Sequence, residues 1–387
     1  MTTPAIESAR SRALGLENAV AERAVYLLDK LSRCTLRPYL LVSNSNNLTQ
    51  NAVTNMTLSD FRNQAEGPFV ITKLRFFTAA SLAASAAGAL FANVAIQIYD
   101  TTAAYQFFKQ NTSFLVVGSL RSNTLFLDRP YVLERLAGLL VTLTEADAAG
   151  TTDVYVSIVG EVVAGDMTAA EVQEAIVLGV YPMAGRQTSP WDQVLLVGSL
   201  FSPRPPRLRG PADDLLFELR TKVAKLREAL RAADYTAYSL YSLSSNLTQD
   251  AITEMVREDH RNDQRGPFAI QRVRVGTVTS LGAAAVTAIF SNVSFKVESI
   301  DERYSITDQF ALAPVFVSRA DNSWAFEHPH ILGARSPMQT TIRELNVNGT
   351  TDVAVAYLGE AVRGISTADM RAAVVLGLYP LLERVKS

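Results

Sequence analysis

The sequence predicts a mainly β fold with helices: two tandem antiparallel jelly-roll-like β-sandwiches, each preceded by a helix and closed by a short helix. Three observations lead to this prediction. The chain repeats itself, short strand-like runs separated by turns recur along each repeat, and no glycine-rich strand-to-helix phosphate loop is present. The repeat comes first, because internal repeats fix the domain count.

The repeat is sharpest between residues 47–76 and 246–275, which agree at 15 of 30 positions when shifted by 199. The same shift holds for more than 100 residues and slips to 198 near the end of the unit. We therefore predict five segments along the chain. They are an N-terminal helix (1–38), a first β-sandwich unit (39–185), a Pro- and Arg-rich linker (186–211), a second helix (212–237) and a second β-sandwich unit (238–387).

The helix before each sandwich is predicted from apolar residues at alternating three- and four-residue steps. Residues 5–33 show this pattern in the first copy and residues 212–233 in the second. The positions are Leu16, Val20, Ala24, Leu27 and Leu31, and then Leu215, Leu219, Val223, Leu226 and Leu230. The apolar seam is typical of a packed helix. It leaves open whether the partner is the helix's own domain, its twin or a neighbouring subunit.

Strands are predicted after a Gly-Pro-Phe turn in each copy, because Gly-Pro ends a helix and alternating apolar residues follow it. The further strand candidates are residues 91–99, 113–120, 124–127, 138–145 and 153–163, with partners 290–298, 313–320, 323–326, 338–345 and 352–362. The polar segment 248–258 carries a helical pattern. Short closing helices are predicted at 168–178 and 367–376, each stopped by a glycine and then a proline.

Composition restricts the partners. Hydrophobic residues make up 48% of the chain and charged residues 19%, which is ordinary for a globular protein. The net charge of −2 predicts no direct contact with nucleic acid. The charge-free runs 76–99 and 275–295 are rich in Ala, Ser, Gly and Thr, so we expect no membrane partner. The N-terminus lacks the apolar core of a signal peptide, and the single Cys34 excludes an internal disulfide.

Residues retained in both copies are candidates for structural roles or for a site present twice. A carboxylate and a guanidinium just before the Gly-Pro turn can tie a loop to backbone groups. The repeat positions singled out are Asp60, Arg62, Gly67, Pro68 and Phe69, with Asp259, Arg261, Gly266, Pro267 and Phe268. Glu161 and Glu360 are also retained, but nothing in the sequence brings them together as a glycosidase carboxylate pair.

Residues that differ between the copies are candidates for interaction. Trp324 replaces Leu125, and His328 and His330, next to Glu327, replace Arg129 and Tyr131. The aliphatic counterpart of Trp324 favours a core position for its ring, with an anchor for a sugar or a partner as the alternative. A few more such residues lie in the linker, namely Arg204, Arg207 and Arg209. The histidine loop lacks the further spaced His or Cys that would complete a metal site. We predict no catalytic residue, no metal and no cofactor.

The motifs resemble those of the β-sandwich structural proteins of bacteriophage virions. They are Gly-Pro-Phe-x-Ile-x-x-x-Arg, a later Pro-x-x-Leu or Pro-x-x-x-Gly segment (130–133 and 329–333), and a Thr-Thr-Asp-Val strand ending in Gly-Glu. Two tandem copies also resemble double-jelly-roll capsid proteins, whose subunits form trimers. Strict internal identity and the helix before each sandwich depart from that group.

This resemblance implies a non-enzymatic virion component: capsid, head-decoration, vertex or tail-associated. Its partners would be itself, as a homo-oligomer such as a trimer, and other virion proteins. We expect synthesis in the host cytoplasm and a final location in the virion. The alternative from the same residues is a tandem carbohydrate-binding or adhesin protein, with exposed aromatic side chains such as Trp324 as anchors.

Overall fold

Each repeat folds as a sandwich of two antiparallel sheets, which confirms the predicted fold class. The protein is seen here as a computed structural model. The structure describes residues 19–79, 94–108, 111–114, 124–146, 152–183, 189–198, 211–278, 293–317, 322–345 and 351–379.

In the first unit, one sheet has the strand order β1-β9-β3-β7 and the other β2-β8-β4-β5, with β6 beside β4. The strands are β1 (Thr35–Leu48), β2 (Val53–Asn55), β3 (Phe69–Ala79), β4 (Val94–Asp100), β5 (Tyr105–Gln106), β6 (Thr112–Ser113), β7 (Thr124–Leu133), β8 (Leu139–Glu145) and β9 (Thr152–Ala164). A short 3-10 helix, Leu58–Phe61, precedes the Gly-Pro turn.

The second unit repeats this topology, with sheets β10-β18-β12-β16 and β11-β17-β13-β14, and β15 beside β13. The strands are β10 (Asp234–Leu247), β11 (Ile252–Glu254), β12 (Phe268–Val278), β13 (Val293–Ser299), β14 (Tyr304–Ser305), β15 (Ala311–Leu312), β16 (Ser323–Leu332), β17 (Met338–Glu344) and β18 (Thr351–Arg363). Its 3-10 helix is Arg257–His260.

The helices form a layer that joins the two units. They are α1 (19–31), α2 (Ala169–Val177), α3 (Pro190–Gly198), α4 (Pro211–Ala232), α5 (Ala313–Phe316) and α6 (Thr367–Val375). All except α5 contribute buried residues to one apolar cluster, separate from the sandwich cores. The sequence left open whether α1 packs on its own unit, on the equivalent helix or on a neighbouring subunit. In the structure it packs on α2 of its own unit and on α4, the equivalent helix of the second unit. Arg23 pairs with Glu174 of α2 at 2.8 Å, and the Lys222 amine of α4 donates to the Ser32 carbonyl at 3.2 Å.

Two strands begin before the boundaries that the sequence predicts between each helix and its sandwich. β1 and β10 are 14-residue strands that the sequence analysis did not predict. Because β10 begins at Asp234, the predicted boundary between 237 and 238 falls inside a strand. Residues 5–18 of the predicted first helix lie outside the described residues.

Two predicted elements are corrected. Residues 248–256 are not a helix, because β11 lies within them and pairs with β17, and the apolar Ile252 and Val256 are 64% and 55% exposed. The last two residues of the predicted segment belong to the 3-10 helix Arg257–His260. Residues 313–320 are not a strand in their described part. Pro314 occupies the first turn of α5, a position that suits its fixed φ.

The Gly-Pro-Phe turn is fixed in the same way in both units. Asn63 is fully buried, and its amide nitrogen donates to the Gly67 carbonyl at 3.0 Å, as that of Asn262 does to the Gly266 carbonyl. A Cβ on Gly67 would lie 2.0 Å from the Val163 carbonyl oxygen, so no larger residue fits without moving the strand. This turn sets the start of β3 and therefore the register of the sheet that carries the site described below.

None of the helices in the described part of the chain combines the length and apolarity needed to cross a bilayer.

Candidate functional site

The two sandwiches pack against each other through one face of the β1-β9-β3-β7 sheet, and their cores form one continuous apolar cluster. The first unit supplies what we call the receiving face, defined by Lys73 and Arg75 on β3 and by Ser157 and Glu161 on β9. These four polar residues are at most 6% exposed. Arg75 lies opposite Ser157 in the strand pairing, so the alternation of β3 and β9 directs both to one side of the sheet.

The second unit supplies what we call the docking edge, defined by Tyr304 on β14, Val315 and Phe316 on α5, and Glu327 and His328 on β16. Each of these residues contacts the first unit through a hydrogen bond or an ion pair. Charged groups from both units are therefore buried against each other, which requires that they be paired.

Glu161 and His328 form the most buried of these pairs. The Glu161 carboxylate accepts from the backbone N–H of His328 at 2.9 Å and lies 2.8 Å from the ring nitrogen Nδ1. Because an ionised carboxylate only accepts, Nδ1 must carry a proton. Tyr181 follows α2 in the chain, and its hydroxyl donates to the same carboxylate at 3.4 Å.

The Glu161 carboxylate controls the charge of the histidine. Burial lowers the pKa of His328, but the charge of Glu161 and its hydrogen bond to the ring outweigh burial and raise the pKa above its ordinary value. Burial and the neighbouring Glu161 also raise the pKa of Tyr181 well above 10, so its hydroxyl remains a donor.

Lys73 and Glu327 form the second buried pair, with Nζ and Oε1 2.9 Å apart. The Thr72 hydroxyl donates to the same oxygen at 3.4 Å. Burial lowers the pKa of Lys73, and Glu327 opposes that shift. An amine buried like this depends on its carboxylate partner to stay charged.

The one-turn helix α5 presents its last carbonyls to the receiving face. The Arg75 guanidinium donates to the Phe316 carbonyl at 2.6 Å, and the Ser157 hydroxyl donates to the Val315 carbonyl at 3.1 Å. Carbonyls at a helix C-terminus have no partner inside the helix. The first unit therefore caps a helix of the second.

The contact also covers the open edge of the first sheet. β1 is an edge strand, and its Leu40 N–H donates to the Ile306 carbonyl of the second unit at 2.9 Å. The Tyr304 hydroxyl donates to the Pro38 carbonyl at 2.7 Å, and the Tyr39 hydroxyl donates to the Asp308 carboxylate. Pairing an edge strand in this way removes a surface that would otherwise pair with another chain.

A small cavity of about 130 Å³ lies beside the Glu161–His328 pair, with Phe126 and Met183 among the residues that line it. This volume holds a few water molecules and is smaller than the usual ligand pocket of about 300 Å³ or more. Within the described residues no group of three or more His, Cys, Asp or Glu side chains is arranged to hold a metal ion.

The predicted repeat positions lie at the turns, and one of them reaches the second unit, since Asp60 accepts from the Gln309 amide at 2.6 Å. Asp60 accepts from the Ser43 hydroxyl at 2.6 Å and Asp259 from the Ser242 hydroxyl at 2.8 Å, which ties each 3-10 helix to its first strand. Arg62 donates to the Leu136 carbonyl, whereas Arg261 pairs with Asp263.

The Gly-Pro-Phe residues serve the turn in both units. Gly67 and Gly266 make equivalent close approaches, and the Pro68 and Pro267 carbonyls accept from β9 and β18. Phe69 and Phe268 are fully buried.

The predicted interaction residues divide into three groups. His328 reaches the interface. Trp324 does not present its ring to a ligand, since it is 1% exposed and packs edge-on against Phe316 and Phe326 in the second core. His330 is also 1% exposed, and burial lowers its pKa to about 4, so it stays neutral. Arg204, Arg207 and Arg209 lie outside the described residues.

Sequence reasoning missed most of the interface. Glu161, Tyr181, Lys73 and Arg75 were not proposed as site residues, and Glu161 and His328 are 167 residues apart. One signal was available: Glu161 is retained at position 360 while the residue equivalent to His328 is Arg129. In both copies, the residue at the His328 position is a basic or protonatable group.

No family model and no curated protein matches the chain. Among solved structures, a triple-jelly-roll turret protein of an archaeal virus is 6% identical over 83% of this chain and 60% of its own, with a TM-score of 0.18. The chain thus spans less than two thirds of that protein's length.

Two further structures are similarly distant. An infectious bursal disease virus subviral particle protein is 9% identical over 89% of this chain and 75% of its own, with a TM-score of 0.20. A tandem carbohydrate-binding module pair from Paenibacillus barcinonensis is 9% identical over 86% of this chain and 93% of its own, with a TM-score of 0.15. At these values none of the three bears on function.

Proposed function

We propose that the chain is a non-enzymatic structural component of a bacteriophage virion, acting by self-association and by docking on other virion proteins. The capsid shell, a head decoration, a vertex and the tail are its candidate places. The proposal continues the resemblance of the Gly-Pro-Phe and Thr-Thr-Asp-Val motifs to virion sandwich proteins.

The observation that supports the proposal is that the buried charges of the first unit bind the second unit. Glu161, Lys73 and Arg75 are the most buried charged groups of the receiving face, and each is occupied in holding the second sandwich. A catalytic carboxylate or amine needs access to a substrate, whereas these groups join one sandwich to another. Sandwiches that stack through polar, paired faces are suited to an assembly of many copies.

The alternative of a tandem carbohydrate-binding protein loses its main anchor. It depended on an exposed Trp324, and that indole lies in the core of the second unit. Aromatic side chains that bind sugars need an accessible ring face.

The decisive experiment is a particle fractionation. Virions purified on a density gradient are washed in high salt, and peptides from each unit of the chain are quantified by mass spectrometry against a known shell protein. We expect the chain to co-sediment with the particles at many copies per particle and to resist the wash, because a component that contacts several neighbours at once dissociates slowly.

A matched soluble lysate is the control. If the chain stays in the lysate and is absent from washed particles, the virion role is wrong. If it co-sediments at fewer than one copy per particle, it is a contaminant and the proposal fails in the same way.

A further inference from the structure

The second unit carries a receiving face of its own, which the described residues of the chain leave open. At the shift of 199, Lys73, Arg75, Ser157 and Glu161 correspond to Arg272, Arg274, Ala356 and Glu360. Arg272 and Arg274 are exposed, and Ala356 and Glu360 are partly exposed. On β10, the edge strand beside them, Tyr241 is 55% exposed and Leu243 37% exposed.

The described residues of the first unit likewise include an unused counterpart of the docking edge, except for positions 116 and 117, the equivalents of Val315 and Phe316, which lie outside the described residues. Tyr304, Glu327 and His328 correspond to Tyr105, Asp128 and Arg129. Tyr105 is 49% exposed, and Asp128 and Arg129 are both exposed on β7. In the part of the chain that the structure describes, one face of each kind is therefore open, on different units.

The two free faces carry opposite charges at the positions where the two joined faces form ion pairs. Lys73 pairs with Glu327 inside the chain, and the equivalent residues are Arg272 and Asp128, again a cation and an anion. Glu161 pairs with His328, and the equivalents are Glu360 and Arg129. Three of these four positions differ in residue type between the copies, yet each pair keeps opposite signs. Complementary charges fix the partner and register of an interface.

The backbone contact also has a free counterpart. Ser239 of β10 occupies the position that Leu40 has in β1. Leu40 lies opposite Val159 in the strand pairing, and Ser239 lies opposite Leu358, the residue equivalent to Val159. The Ser239 N–H therefore points to the open edge of the sheet. Phe107 occupies the position of Ile306, and the N–H of each donates to the equivalent residue, Ile98 at 3.0 Å or Val297 at 2.8 Å. The Phe107 carbonyl is thus held in the same local turn as the one that Leu40 binds.

We propose that the free receiving face of the second unit binds the docking edge of the first unit in a second copy of this chain, repeating the contact between the two units within one chain. The contact is heterologous, so it produces closed rings or filaments and not an isolated two-fold dimer. This inference rests on the self-association in the proposed function. It does not depend on where in the virion the protein resides.

The test uses charge reversal in the full-length protein. Arg272→Glu and Asp128→Lys each place like charges across the proposed contact. We expect each to weaken self-association roughly tenfold or more, measured by mass photometry and sedimentation over a wide range of concentration. The controls are Arg220→Glu on α4 and Glu254→Lys on β11, which make the same charge changes at exposed positions away from both faces.

A mixture of the two variants provides a more stringent test. The Lys at position 128 of one variant faces the Glu at position 272 of the other, and the unchanged Asp128 and Arg272 face each other, so the mixture should associate where neither variant does alone. Circular dichroism and thermal unfolding establish that both variants fold, as expected for exposed residues.

Three outcomes overturn the inference. They are a wild-type chain that stays monomeric at all concentrations, an oligomer that neither reversal weakens, and a mixture that fails to associate. An oligomer insensitive to both reversals contradicts this contact while leaving the virion role standing. A chain that associates as proposed but is absent from purified particles contradicts the virion role and leaves this contact standing.

Discussion

Two equivalent faces of this molecule have opposite environments. On the first unit, Lys73 and Glu161 are 6% and 2% exposed and are sealed by the second unit. On the second unit, their counterparts Arg272 and Glu360 meet solvent. The residues are of the same chemical type and lie at the same places of the same fold. The difference shows that the burial of this face is set by what covers it, and not by the fold that builds it.

The choice of cation follows the same division. Lys73, in the covered copy, makes a single close ion pair, and burial lowers its pKa. The open copy has arginine instead, whose planar guanidinium offers several donors to a partner or to solvent. Carboxylates differ too: Glu161 holds a histidine and a tyrosine, whereas Glu360 accepts from the Tyr379 hydroxyl at 2.6 Å.

The largest expected contrast comes from removing the two carboxylates. Glu161→Ala leaves the His328 ring and its backbone N–H buried without their acceptor, which should lower the free energy of unfolding by about 3–5 kcal/mol. Glu360→Ala removes the carboxylate that accepts from the hydroxyl of Tyr379, a residue that is 4% exposed, and should cost about 1–2 kcal/mol because Glu360 itself reaches solvent. Urea unfolding of both variants measures the difference, with the fluorescence of the buried Trp324 as the signal.

Glu161→Gln serves as the control for shape, since it keeps the volume and one acceptor oxygen. It should fall between wild type and Glu161→Ala. Equal losses for the two alanine variants would contradict the comparison between a covered and an open face.

The repeated architecture could be predicted from sequence, and the interface could not. The 15 identities between residues 47–76 and 246–275 fix the two units and their common topology. β1 was missed because a strand buried on both faces and containing Pro38 lacks the two-residue alternation that identifies a half-buried strand. The match between Glu161 and His328 depends on how two folded units pack, and no local periodicity carries that information.

The pH dependence of the interface gives the next contrast. Glu161 raises the pKa of His328 above its unfolded value of about 6.5. The stability that this proton provides is therefore full below pH about 6.5 and is lost as pH rises through the folded pKa. As pH rises from about 6.5 through the folded pKa, wild type should lose up to about 1.4 kcal/mol of unfolding free energy per pH unit, and His328→Gln should lose less.

The other two histidines do not interfere in this window. Burial lowers the pKa values of His260 and His330 to about 4, so they reduce stability only as pH falls from about 6.5 towards 4. Urea unfolding at a series of pH values measures both effects. Identical slopes for wild type and His328→Gln above pH 6.5 would mean that Glu161 does not hold a protonated ring.

The smallest contrast is between two tyrosines at equivalent positions. Tyr304 is 6% exposed, and its hydroxyl donates to the Pro38 carbonyl across the interface. Tyr304→Phe leaves that carbonyl without this donor and should lower the free energy of unfolding by about 1 kcal/mol, because the ring and its packing remain. Tyr105 is 49% exposed, so Tyr105→Phe should change the stability of the isolated chain by less than about 0.5 kcal/mol.

If the free docking edge binds a second copy in the way that the covered edge binds its own chain, Tyr105→Phe should instead weaken self-association. A stability loss for Tyr105→Phe equal to that for Tyr304→Phe would show that the two edges are already in the same environment, and the distinction between a used and an unused edge would fall.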